Sequence, residues 1–118
     1  MNIIIASTET GRFIAALELA LTSAALGKAP RLFLQGEAAA LVALPLTAAS
    51  DERRCAMGMP TLAQILEDVA EADISLTVCQ SGLLMADLTP DQLWPHVQIG
   101  GLISFLAGPG SGQNPVIY

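Results

Sequence analysis

The fold is decided by residues 74–82, which read ISLTVCQSG. Residues 74–78 form a short apolar run that predicts a buried strand. Cys79 follows this run, and the small-residue turn Ser81-Gly82 comes directly after it. In α/β proteins the carboxyl end of a parallel strand faces the crevice where ligands bind, and the amides of a following helix point toward it. The stretch therefore predicts an α/β protein with a thiol in that crevice.

Strand and helix patterns alternate outward from this stretch. Residues 3–6 predict a strand and residues 31–35 a second one, with an apolar helix at 10–27 between them. We expect Thr8 or Thr10 to cap that helix and Gly27 to end it. The other predicted elements are helices at 37–42, 61–72, 82–86, 90–94 and 101–107, strands at 97–99 and 115–118, and a mobile loop at 45–60. This order predicts a three-layer α/β/α sandwich.

Length and composition predict one globular domain, residues 1–118. Hydrophobic residues make up 53% of the chain and charged residues only 14%, which excludes a disordered protein. The mean hydropathy is +0.56. A small domain has a large surface for its volume, so this value predicts that another subunit covers some apolar surface. We therefore expect a homo-oligomer.

Charge and hydropathy patterns argue against nucleic acid and membrane partners. Five Lys and Arg stand against eleven Asp and Glu, a net charge of −6 that disfavours binding to phosphate backbones. The longest apolar stretch, residues 13–26, contains Glu18 and is shorter than the roughly twenty residues that a bilayer requires. The N-terminal residues lack the basic region of a signal peptide, so we expect a cytoplasmic protein with reduced thiols.

The two cysteines each allow two interpretations. Free cysteine is usually a small buried hydrophobe, yet Cys79 follows a strand at a glycine-containing turn, where a helix N-terminus can lower a thiol pKa. Packing and reactivity both remain open for it. Cys55 stands beside Arg53 and Arg54, so it is either a resolving thiol for Cys79 or a surface residue without a role.

Other polar residues give weaker signals. Glu37 could reach the crevice or cap a short helix, and Ser7 and Thr8 could line the crevice or cap the first helix. His96 is the only histidine, which predicts no metal site. Residues 108–112 are glycine-rich but lack the lysine of a phosphate-binding loop, and no CxxC or GxGxxG occurs. We predict no cofactor.

The cysteine segment also carries a family resemblance. Residues 76–83, LTVCQSGL, followed by Leu93 and by residues 99–102, IGGL, resemble the DsrE/DsrF-like family of small sulfur-relay proteins. The first strand, the alanine-rich helix and residues 31–36 fit the same pattern, so the resemblance covers essentially the whole chain.

This resemblance implies a five-stranded, mainly parallel sheet between helices and assembly into trimers or hexamers. It also implies a cysteine that carries persulfide sulfur between donor and acceptor proteins. Cys79 matches that carrier, and the amides of Gln80, Ser81 and Gly82 are candidate donors to its sulfur or to a bound anion. Two hypotheses follow. One is a sulfur carrier acting through Cys79, and the other is a non-catalytic oligomeric module that binds a small anionic ligand or a partner protein.

Overall fold

The computed structural model describes residues 1–118, and its five strands form one parallel sheet with the order β4-β3-β2-β1-β5. The strands are β1 Asn2–Ile5, β2 Arg31–Leu34, β3 Ser75–Cys79, β4 Gln98–Gly100 and β5 Val116–Ile117. The predicted sandwich is confirmed, and each predicted strand lies within a residue or two of its observed position. Because all strands run the same way, their carboxyl ends share one edge of the sheet.

Five α-helices and two 3₁₀ helices connect the strands. They are α1 Thr10–Ala25, α2 Asp51–Ala56, α3 Leu62–Glu71, α4 Gln80–Met85, α5 Leu102–Ala107, and the 3₁₀ segments Gly36–Val42 and Pro90–Gln92. No helix in the structure meets the length and hydropathy that a membrane span requires.

Local hydrogen bonds fix the end of α1 and the start of α3, the two longest helices. Gly27 ends α1 with a φ of 83°, and its N–H donates to the Ala24 carbonyl at 3.0 Å. This is a Schellman stop, which the sequence predicts. At the start of α3, Thr61 and Gln64 exchange side-chain-to-backbone hydrogen bonds in a capping box. The apolar face of α3 is buried in the core: Leu62, Ile65, Leu66 and Val69.

The two faces of the sheet are covered unequally. The main core lies between one face and α1, α3, α4 and the first 3₁₀ helix. The other face is covered by α5, whose Phe105 packs with Ile4 and Phe33. The Arg31 guanidinium lies 4.4 Å from the Phe105 ring centroid and donates to the carbonyls of Phe105 and Pro109, both at 3.0 Å. These contacts fix the C-terminal end of α5 against the sheet, near the first residues of β2 and β3.

Two local predictions were wrong. Residue Glu9, rather than Thr8 or Thr10, is the N-cap of α1, and its side chain makes no capping bond. The expected loop at 45–60 contains α2, because the Asp51 carboxylate accepts from the amides of Ala48 and Leu62, both at 2.9 Å. That carboxylate joins the start of α2 to the start of α3, and its bond to Leu62 does not follow from local sequence patterns because it links residues eleven positions apart.

Candidate functional site

Cys79 is the last residue of β3 and the N-cap of α4. Its predecessor Val78 is fully buried in the main core, so alternation along the strand directs Cys79 to the opposite face, where it packs against the Ile4, Phe33 and Phe105 cluster. The side chain is partly exposed. The thiol therefore lies at the carboxyl edge of the sheet, on the α5 side.

Four hydrogen-bond donors surround the Cys79 sulfur. The Ser81 hydroxyl oxygen lies 3.0 Å from Sγ, and the backbone N–H groups of Gly36, Gly82 and Ser81 also point at it. Burial raises the pKa of the Cys79 thiol, but these hydrogen bonds together outweigh burial and lower the pKa below its ordinary value. The site thus favours the thiolate, the form of cysteine that acts as a nucleophile.

The close approach of two backbones creates this arrangement. Gly36 follows β2 with a φ of 59°, and Gly82 lies in the first turn of α4. A Cβ on Gly82 would stand 2.1 Å from the Gly36 carbonyl oxygen, so only glycine fits there. Because β2 and β3 pair with Leu34 opposite Val78, the chain after β2 runs beside Cys79. The glycine contact lets the Gly36 amide reach the sulfur.

The thiol opens into a cleft of about 500 Å³ between α4 and the start of α5. Gln35, Gln80 and Ser81 give the cleft polar groups, and Leu84 and Leu102 give it apolar ones. A cleft of this size admits a small molecule or the side chain of a partner protein.

The structure brings most of the predicted site residues to the cleft. Ser81 and Gly82 direct their amides at the sulfur, whereas Gln80 is a lining residue. Sequence reasoning missed Gly36 as a donor and Gln35 as a neighbour of the thiol. The signal was available, since the second and third strands end at the same sheet edge, but the motif itself contains neither residue.

The other residues for which the sequence allows two interpretations do not line the Cys79 cleft. Glu37 makes no capping bond and lines a neighbouring cleft with Ser7 and Thr8. Cys55 lies on α2, in the helical layer of α1, where the adjacent Arg54 is 3.9 Å from Glu18. Cys79 packs on the opposite face of the sheet. The two thiols are thus on different sides of the sheet, and both are free.

We expect Ser81→Ala to shift the pH dependence of Cys79 alkylation to higher pH. The Ser81 hydroxyl lowers the pKa of the Cys79 thiol by donating to the sulfur. Loss of this hydroxyl therefore raises the thiol pKa and, at pH values below the pKa, reduces the fraction of Cys79 that is thiolate. At near-neutral pH the rate with iodoacetamide should fall about threefold. Gln80→Ala, which alters the same cleft without removing a donor to the sulfur, is the matched control. Equal midpoints in Ser81→Ala and wild type would contradict the described hydrogen bond.

Comparison with known proteins identifies the fold. The sequence matches no family model and no curated protein. The crystal structure of the YchN protein from E. coli is 16% identical with a TM-score of 0.75, and the match covers 99% of this chain and 97% of that one. MTH1491 from Methanobacterium thermoautotrophicum, a protein of unknown function, is 9% identical with a TM-score of 0.70, covering 99% and 96%. The chain has a DsrE/DsrF-like fold. This likeness supports the expected family by architecture.

Proposed function

We propose that the protein accepts a sulfur atom on Cys79 as a persulfide and passes it to a second thiol. The hydrogen bonds from the Ser81 hydroxyl and three backbone amides to the Cys79 sulfur carry this proposal, because they stabilise the attacking thiolate. The DsrE/DsrF-like fold and the resemblance of the cysteine segment to sulfur-relay proteins support it.

In the accepting step, the Cys79 thiolate attacks the terminal sulfur of a donor persulfide. A new S–S bond forms at Cys79 while the donor's S–S bond breaks, and the donor leaves as a thiolate that takes up a proton from water. In the releasing step, an acceptor thiolate attacks the outer sulfur, and Cys79 leaves as a thiolate. The same donors that activate Cys79 stabilise it as a leaving group. Neither step requires an outside oxidant.

The position of Cys55 supports transfer between molecules. Because Cys55 lies on α2, on the other side of the sheet, it does not resolve a Cys79 persulfide without rearrangement of the fold. The proposed donor is therefore a persulfide and the proposed acceptor a thiol, each on another molecule that reaches Cys79 through the cleft.

Sulfur uptake tests the proposal directly. Incubation with a persulfide donor should increase the intact mass by about 32 Da, the mass of one sulfur atom, and peptide mapping should locate the addition on Cys79. No mass increase, or an increase confined to Cys55, would overturn the proposal and favour the non-catalytic binding module.

We also propose that the protein is a homo-oligomer, a trimer or hexamer as the family resemblance implies. Exposed apolar side chains that do not line the cleft support it: Ile103 on α5 and Ile117 on β5 are exposed by 87% and 66%. Burial of such side chains stabilises association by about 25 cal/mol per Å², which must exceed the entropy that the subunits lose on association. Light scattering after size exclusion should give a multiple of the 12.2 kDa chain mass. We expect Ile103→Glu to dissociate it, and a monomeric wild type would contradict the proposal.

A further inference from the structure

A second cleft adjoins the Cys79 cleft at the carboxyl ends of β1 and β2. It has a volume of about 670 Å³, and its lining includes Ser7, Thr8, Gly36 and Glu37. Gln35 lines both clefts. Each cleft alone is of the size that holds a small molecule, and the shared residue makes them neighbours. One ligand can therefore contact Cys79 with one end and the second cleft with the other.

Apart from the Cys79 thiolate, Glu37 is the single charged side chain that lines either cleft. It is exposed and has no basic partner, since the two ion pairs of the chain are Arg12 with Glu9 and Arg54 with Glu18. The Thr8 hydroxyl is exposed beside it. A carboxylate without a counter-ion favours a cation in the second cleft and disfavours an anion there.

The chain also brings the backbone of Glu37 near the thiol. The Gly36 amide donates to the Cys79 sulfur, and Glu37 is the next residue. Consecutive Cα atoms are about 3.8 Å apart, so the Glu37 Cα lies that far from the Cα of Gly36, whose amide donates to the sulfur. A ligand whose amine and sulfur are separated by a short carbon chain fits this juxtaposition.

We propose that the low-molecular-weight sulfur compounds that react at Cys79 are cationic aminothiols, as persulfides when they donate sulfur and as thiols when they accept it, with the ammonium group bound at Glu37. This inference rests on the proposed function and specifies its substrate class. Carboxylated thiols are disfavoured, because neither cleft is lined by Lys, Arg or His to bind the carboxylate. The transfer itself is the persulfide exchange described above, with the aminothiol leaving as a thiolate that takes up a proton.

Exchange with symmetric disulfides of different charge tests the substrate class. The Cys79 thiolate attacks one sulfur, a mixed disulfide forms, and the other half leaves as a thiolate. The probes are cystamine, which is cationic, 2-hydroxyethyl disulfide, which is neutral, and dithiodiglycolate, which is anionic. Rates are measured on Cys55→Ser by mass spectrometry at low ionic strength. Each rate is divided by the rate at which the same disulfide reacts with a small neutral reference thiol. This ratio removes the intrinsic differences in reactivity among the three disulfides.

We expect the normalised rate with cystamine to exceed that with the neutral disulfide by about three- to tenfold, with dithiodiglycolate slower than both. Added salt should reduce the preference. Glu37→Gln should bring the three rates together. Glu67→Gln, an exposed site on α3 with the same change in net charge, should leave the preference in place and so separates Glu37 from the overall charge of −6.

The outcomes distinguish this inference from the function on which it rests. Equal rates with all three disulfides, or a preference that survives Glu37→Gln, would overturn the aminothiol assignment while leaving Cys79 a reactive thiol. No exchange with any disulfide would overturn the proposed function and the substrate class together.

Discussion

Cys79→Ser is expected to abolish sulfur uptake while leaving the fold unchanged. The serine hydroxyl keeps the size of the site and its bond with Ser81, but it is not ionised near neutral pH and does not form a persulfide. We expect the gain of about 32 Da to disappear completely. Circular dichroism and urea denaturation should give wild-type curves, which would show that the loss is chemical.

Cys55→Ser is the matched control for this variant. Cys55 is exposed on α2, on the other side of the sheet from the cleft, so its loss should leave uptake at the wild-type level. Uptake that persists in Cys79→Ser but is lost in Cys55→Ser would contradict the proposal, because it would identify Cys55 as the sulfur acceptor. Loss in both variants would indicate that the two thiols act together.

Among substitutions that add one methyl group to the site, Gly82→Ala is expected to reduce the stability of the fold most. Its Cβ would stand 2.1 Å from the Gly36 carbonyl oxygen and 2.8 Å from the carbonyl carbon, both backbone atoms that cannot rotate away. Relief requires α4 to move from the chain that follows β2. We expect the free energy of unfolding in urea to fall by about 3 kcal/mol. In the folded fraction of the variant, Gly36 should lie farther from the Cys79 sulfur, and the pH midpoint of Cys79 alkylation should therefore be higher than in wild type.

Gly101→Ala is the control for this substitution. Gly101 lines the same cleft and precedes α5, but a Cβ there meets no atom within 4 Å and its φ of −108° suits alanine. We expect a change within about 0.5 kcal/mol in the free energy of unfolding. If both variants were equally stable, the close contact of α4 with Gly36 would be incorrect.

Local patterns predicted the elements of this fold well, because their determinants are adjacent in sequence. The apolar run before Cys79, the Gly27 stop and the helix that starts near residue 61 each depend on residues within one or two turns. Helix α2 was missed because the Asp51 carboxylate that fixes it binds an amide on α3.

The site was only half predictable for the same reason. Ser81 and Gly82 follow Cys79 directly, and their approach to the sulfur follows from a strand that turns into a helix. Gly36 and Gln35 come near only because β2 pairs with β3 in a register that places Leu34 opposite Val78. A single sequence specifies strands more clearly than the order of strands within a sheet, so the Gly36 donor was not predicted, although Ser7, Thr8 and Glu37 were expected near the crevice.

The Gly36 contact also makes the chemistry of Cys79 dependent on complete folding. Before β2 and β3 pair, the chain holds an ordinary cysteine, without an amide from a distant segment directed at its sulfur. The share of the pKa lowering that Gly36 contributes therefore requires long-range strand pairing, whereas the shares from Ser81 and Gly82 require only the local turn into α4. Under the proposed function, incompletely folded copies are therefore expected to accept sulfur less readily than folded ones.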